Sequence, residues 1–128
     1  MPIRVNIAHG EFIDKITILE LKLERITDPA KLDNVRVEYD LLMEVYRREI
    51  TTCDTLRHLN QRLKEINGRL WAIEDEIRSQ ERAKTFGDEF VRLARLIYRT
   101  NDERAAVKRE INKLCDSTIV EEKSYAPY

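Results

Sequence analysis

One run of apolar residues constrains the fold of this chain more than any other feature of its sequence. Seven apolar side chains, which we call the seam, alternate at spacings of three and four: Leu56, Leu59, Leu63, Ile66, Leu70, Ile73 and Ile77. This pattern is typical of a coiled coil or a long bundle helix. A helix over residues 55–82 would be ~40 Å long, which exceeds the diameter of a small domain. Other helices, or a second copy of the chain, must therefore cover the seam.

Three further segments show helical periodicity. Apolar residues recurring every three or four positions predict helices over residues 10–26, 29–50 and 88–114. Asp28 and Pro29 have the chemistry of an N-cap and a first helical position, and they separate the first two helices. We therefore predict an all-α, antiparallel helical bundle with a long, coiled-coil-like central helix, formed by residues 1–128 as a single domain.

The two ends of the chain have different patterns. Ile3, Val5 and Ile7 alternate with other residues, which predicts a short strand over residues 2–8. A strand needs a partner, and the candidates are residues 118–120 or the same segment of a second copy. Residues 121–128 are expected to form a loosely held tail.

Charge and composition argue against several classes of function. The 24 acidic and 23 basic residues nearly cancel, whereas a duplex-binding domain usually has a basic excess. Nucleic acid is therefore not an expected partner, although Arg92, Arg95 and Arg99 leave a local basic ridge open. The sequence shows no signal peptide and no run of 18 apolar residues, so we expect a cytoplasmic protein without a membrane partner. Cys53 and Cys115 lie in no paired motif and are expected to be reduced core thiols.

No metal or catalytic motif is complete. Neither His9 nor His58 has a glutamate three residues before it, as a di-iron site requires. Glu11 and Asp14 have the spacing of a Mg²⁺ pair, but a second pair is missing, so we interpret both as complementing the dipole of the first helix. The sequence thus predicts no metal, no cofactor and no catalytic residue. It leans against an enzyme without deciding the question.

Two polar clusters are the candidates for a binding site. Trp71 and Glu74 lie beside the seam, and residues 98–102 place polar groups where the apolar stripe of the last helix should continue. If this second cluster is buried, it must form a satisfied hydrogen-bond network; otherwise it is a solvated surface. The candidate ligand-binding residues are Arg95, Arg99, Asn101, Asp102, Trp71 and Glu74.

Four separated segments, residues 12–20, 67–78, 98–106 and 120–125, are similar to a family of small bacterial proteins classed as a domain of unknown function. The likeness extends over nearly the whole chain. It implies a self-contained domain in which the two polar clusters are family features. It carries over no catalytic residue.

Two hypotheses of function follow from these patterns. The leading one is a non-enzymatic helical interaction or assembly module, homodimeric or bound to another protein, because one short chain does not fully cover the seam. The alternative is a binder of, or an enzyme acting on, a small anionic ligand through the candidate ligand-binding residues. Nucleic-acid binding along the basic ridge is a third, weaker possibility.

Overall fold

The computed structural model describes residues 1–128 and contains four α-helices and no β-strand. The helices are α1 (His9–Arg25), α2 (Pro29–Glu49), α3 (Asp54–Arg82) and α4 (Asp88–Leu114). The prediction of an all-α helical bundle is therefore confirmed. None of the helices is long and apolar enough to cross a membrane.

Local capping fixes where α2 begins. The side chain of Asp28 accepts a hydrogen bond from the backbone N–H of Ala30 at 3.0 Å, and Pro29 occupies the first turn. Proline is tolerated there because the first N–H groups of a helix have no partner within it.

The long helices α3 and α4 form an antiparallel hairpin, as the ion pairs Arg62–Glu110 and Arg69–Glu103 show. Helix α1 packs against both of them, and α2 packs mainly along α1. The core lies where α1 meets the hairpin. Its fully buried members are Ile13, Leu56, Leu59, Leu63, Ile66, Val107 and Ile111.

Gly10 allows α1 to approach α4 closely. A Cβ atom at this position would collide with the main-chain carbonyl of Lys108 and lie 3.0 Å from its Cα. The backbone N–H of Gly10 donates a hydrogen bond to Oδ1 of Asn112 at 2.7 Å. The two helices are thus held in backbone contact at the start of α1.

The seam differs in burial along α3. Its basal half, Leu56, Leu59, Leu63 and Ile66, is buried, with exposures of 0–7%. Its distal half, Leu70, Ile73 and Ile77, is only half-buried. Helix α1 ends at Arg25, which donates a hydrogen bond to the carbonyl of Gly68. Arg25 also lies over the ring of Trp71, so α1 reaches as far as that residue, and Ile73 and Ile77 lie beyond it on the hairpin of α3 and α4.

The expected strand over residues 2–8 is wrong. Residues 1–8 have no regular secondary structure, and Ile3 and Val5 are 90% and 73% exposed. Residues 118–120, the proposed pairing segment, are not a strand either. An alternating pattern without a pairing partner does not form a sheet.

The tail over residues 121–128 has no regular structure but is joined to α4 by side-chain contacts. Glu121 pairs with Lys108, Glu122 with Arg109, and the hydroxyl of Tyr128 donates to Asp102 at 2.6 Å.

Candidate functional site

A buried ion pair lies where α1, α3 and α4 meet. Asp14 of α1 is 1% exposed, and the guanidinium of Arg104 on α4 donates to both of its carboxylate oxygens, with Nε 2.9 Å from Oδ1. The hydrogen bonds to Asp14 raise the pKa of the Arg104 guanidinium above its ordinary value. A bidentate ion pair is the geometry that best compensates a charge removed from water.

Helix α3 contributes an amide to the same cluster. Nδ2 of Asn67 donates to Oδ1 of Asp14 and to Oγ1 of Thr17, both at 2.9 Å. The hydroxyl of Thr17 in turn donates to the main-chain oxygen of Asp14 at 2.8 Å. Three helices are therefore joined by one hydrogen-bond network, which fixes the rotamer of each member.

A second cluster ties the start of α1 to the tail. Nζ of Lys108 lies 2.7 Å from Glu11 and 2.8 Å from Glu121. Burial alone would lower the pKa of Lys108, but its hydrogen bonds to the two glutamates outweigh burial and raise the pKa. The cluster keeps one lysine charged among two carboxylates.

A cavity of about 260 Å³ opens beside the buried ion pair. Its polar wall consists of Asn67, Glu74, Asn101 and Arg104, and its apolar wall of Ile18, Leu21, Leu70 and Trp71. Arg25 lies over the ring of Trp71, 5.6 Å from the ring centroid. The buried network thus forms part of the wall of this recess.

Three of the six candidate ligand-binding residues, Trp71, Glu74 and Asn101, line this cavity. The other three, Arg95, Arg99 and Asp102, are exposed and do not line it. Their spacings of four and three place them on one face of α4, whereas Asn101 and Arg104 lie on another. Asp102 and Arg99 contact Tyr128 instead, with Arg99 5.9 Å from its ring centroid.

Sequence reasoning missed the residues that build the network. The interpretation of Asp14 as complementing the dipole of α1 is wrong, because Asp14 lies beyond the first turn, whose only acidic residue is Glu11. The available signal was its position in the apolar stripe, directly after Ile13. A charged residue among buried positions requires a partner, and sequence alone did not identify Arg104 as that partner.

The charges around the cavity decide what it can attract. Arg104 is neutralised by Asp14, and Glu74 pairs with Arg78 at 3.2 Å. Arg25 does not line the cavity, but it lies over the ring of the lining residue Trp71 and forms no ion pair. No group of three or more His, Cys, Asp or Glu side chains is arranged to hold a metal ion.

A family model described as "Family of unknown function (DUF6165)" matches residues 3–128, and the chain belongs to this family. The resemblance to a domain of unknown function is thereby confirmed. No curated protein and no solved structure matches the chain. The family assigns no activity.

Proposed function

We propose that this member of a family of unknown function is a helical interaction module that assembles with a second copy of itself. The observation that carries the proposal is the distal half of the seam. Ile73 and Ile77 are half-buried and lie beyond Trp71, where Arg25 makes the last contact of α1, whereas Leu70 still packs against the core. Removing apolar surface from water is favourable by ~25 cal/mol per Å². A second hairpin packed on the distal half of the seam would remove such surface from water.

The surface area of the chain supports this assembly. The accessible surface is 9104 Å² for a mass of 15.2 kDa, whereas a compact monomer of that mass exposes about 7,100 Å². The difference is about 2,000 Å². It is larger than the ~800 Å² that each partner buries in a standard interface.

Helix α4 adds an exposed face to the hairpin, on the side of α4 opposite the buried Leu93. Val91, Arg95 and Tyr98 recur at spacings of four and three, which places them on one side of the helix. Val91 is 51% and Tyr98 44% exposed, and Phe86 at the tip of the hairpin is 52% exposed. Exposed aromatic and apolar residues together with arginine are the composition enriched in interfaces.

The distribution of charge favours a second copy as the occupant. Glu81 of α3 and Arg95 of α4 form no ion pair within the chain. In a two-fold symmetric pair, each patch on one copy meets the same surface of the other. Glu81, one turn after Ile77, can then face Arg95 of the partner, which gives complementary charges beside the apolar contact.

Light scattering on two matched variants tests this proposal. We expect a dimer for the native chain and a shift towards monomer for Val91→Asp, with helicity unchanged. Val37→Asp is the control, because Val37 is 62% exposed on α2, away from the hairpin, and it should leave the dimer intact. A monomeric native chain, or equal dissociation of both variants, would contradict the proposal.

The cavity beside Trp71 favours a second function, the binding of a small anionic ligand. Three candidate residues line it, and Arg25 supplies an unpaired positive charge at its edge. In this proposal Arg25 supplies the positive charge that the sequence pattern assigned to Arg95 and Arg99. Trp71 offers an apolar face, and Asn101 an amide whose nitrogen donates no hydrogen bond within the chain.

Thermal unfolding with a panel of small carboxylates and phosphates tests the ligand site. A binder present at a hundredfold excess over its Kd should stabilise the native chain by ~2.7 kcal/mol. Trp71→Ala and Arg25→Ala should lose that stabilisation, and Arg99→Ala should keep it. If no compound in the panel raises the melting temperature, the ligand function fails while the dimer proposal stands.

A further inference from the structure

The two cysteines of the chain line one cavity at the basal end of the bundle. Its volume is about 360 Å³, and it lies between the start of α1, the link over residues 50–53 and the end of α4. Cys53 is exposed and Cys115 is half-buried, so the expectation of two core thiols is wrong for Cys53. Residues far apart in the sequence thus bring two thiols to one space.

His9 gives this cavity an unsatisfied polar atom. Its Nδ1 is buried and has no hydrogen-bond partner, while Ile50, Leu56 and Leu114 make much of the surrounding wall apolar. A buried polar atom without a partner carries a free-energy cost and calls for an explanation. An imidazole nitrogen beside two thiols is suited to accept a proton from one of them.

Both thiols line the same cavity, and they differ in exposure. The pKa of Cys115 is raised above its ordinary value, first by burial and then by the negative charge that Cys53 can carry. Cys53 is at the N-cap of α3, an end of a helix that attracts negative charge. The exposed Cys53 can therefore meet an oxidant first, with Cys115 held behind it.

We propose that Cys53 and Cys115 are a redox pair that closes to an intrachain disulfide when hydrogen peroxide oxidises the protein. The Cys53 thiol gives its proton to solvent, and the thiolate attacks one oxygen of the peroxide and breaks the O–O bond, which gives a sulfenic acid and a leaving hydroxide that takes a proton back from solvent to become water. The thiol of Cys115 passes its proton to Nδ1 of His9, and its sulfur attacks the sulfur of Cys53. The S–S bond forms as the S–OH bond breaks, and the leaving hydroxide takes the proton from His9. Two thiols and one peroxide thus yield one disulfide and two waters.

The bond would join the link before α3 to the residue that caps α4. It closes a loop of roughly 60 residues, and cross-links across long loops restrict the unfolded chain most. We expect the oxidised protein to melt at a higher temperature than the reduced protein. This inference is independent of the assembly proposal, because the cavity lies at the opposite end of α3 from the distal half of the seam.

Peroxide titration of the full chain tests the proposal. We expect both free thiols to disappear together, an intact mass lower by two hydrogen atoms, one cross-linked peptide joining Cys53 to Cys115, and full reversal by dithiothreitol. His9→Phe should slow closure of the disulfide at least ~tenfold while Cys53 still forms the sulfenic acid, because a positioned base accelerates proton transfer. His58→Phe, on the exposed side of α3, is the control and should close at the native rate.

Other outcomes would overturn the proposal. Oxidation of Cys53 beyond the sulfenic acid in the native chain, or disulfides that join two chains, would show that Cys115 does not reach it. Equal closure rates for the two histidine variants would remove His9 from the step. Tight binding of Zn²⁺ that protects both thiols from peroxide would indicate a metal site in place of a redox pair.

Discussion

The basal and distal halves of the seam have the same residue spacing but are buried to different depths. In the basal half, α1 lies against the hairpin and the seam residues are buried. In the distal half, α1 reaches only Leu70 and Trp71, and all three seam residues are half-buried. The period of the apolar residues therefore determines which side of a helix faces inward, whereas the depth of burial depends on which other elements reach that side.

The ion pairs differ in the same way. The basal pair Asp14–Arg104 is enclosed by three helices, whereas the distal pairs Glu74–Arg78 and Glu89–Arg92 lie within single helices and are exposed. A buried pair is costly to break because the remaining charge is left without a partner. An exposed pair contributes little, since water screens it.

The largest expected effect contrasts a charge placed in each half of the seam. Ile66→Asp should unfold the protein, because a carboxylate at a position 4% exposed costs several kcal/mol, comparable with the ~5–15 kcal/mol that stabilises a whole domain. Ile77→Asp should leave a folded chain, because this half-buried side chain can keep its charge in water. Circular dichroism during thermal unfolding measures both. Equal loss of structure in the two variants would remove the distinction between the halves.

The next effect contrasts the ion pairs. Asp14→Ala leaves Arg104 without its carboxylate and should destabilise the fold by ~3–5 kcal/mol. Glu74→Ala removes an exposed partner of Arg78 and should cost no more than ~0.5 kcal/mol. Urea denaturation gives both values.

A double variant sharpens this second prediction. Replacing the buried pair with apolar side chains, Asp14→Leu together with Arg104→Met, removes both charges at once. It should recover most of the stability that Asp14→Ala loses, because no unpaired charge remains. A double variant no more stable than Asp14→Ala would show that packing, rather than the unpaired charge, causes the loss.

Glycine substitutions probe how closely the basal helices approach. Gly10→Ala should cost ~1–3 kcal/mol, because its Cβ meets the backbone of Lys108 and the helices must separate. Gly68→Ala should be neutral or stabilising, since its nearest neighbour is the mobile end of Arg25 at 3.2 Å and alanine favours helix by ~1 kcal/mol. Thermal melts of the two variants decide this. A stable Gly10→Ala protein would mean that the crossing of α1 and α4 is loose.

The fold class was predictable because it depends on local patterns. Spacings of three and four along the seam, the chemistry of Asp28 and Pro29, and the scarcity of glycine and proline all act within one or two helical turns. The strand over residues 2–8 failed for the same reason, since a strand depends on a partner that local alternation does not supply.

The site was predictable only in part. The sequence pattern identified three polar or aromatic residues beside apolar stripes that do line one cavity: Trp71, Glu74 and Asn101. The pairing of Asp14 with Arg104 joins residues of the first and last helices. No local pattern indicates such a contact, because it depends on how α1 crosses the hairpin.

The smallest expected effect concerns the ion pair that joins the basal end to the tail. The hydrogen bond from Lys108 lowers the pKa of Glu121 below its ordinary value of 4.5. A lowered pKa in the folded state stabilises the fold above pH 4.5, and this contribution disappears as the pH falls through the lower folded value. Native protein should therefore be more stable than Glu121→Gln at pH 7, by no more than ~1 kcal/mol because the carboxylate is 44% exposed.

The pH dependence separates this ion pair from a simple packing contact. The difference in unfolding free energy between native protein and Glu121→Gln should shrink towards zero below the lowered pKa, since both chains then carry an uncharged group there. Glu89→Gln is the control, because the pKa of Glu89 is lowered by Arg92 within α4 alone. The Glu89–Arg92 ion pair lies within one helix and does not connect separate segments. Its loss should therefore affect only α4 and leave the attachment of the tail unchanged, which hydrogen exchange at residues 121–128 can measure. A difference for Glu121→Gln that persists at low pH would mean that the tail is held by contacts other than this charge.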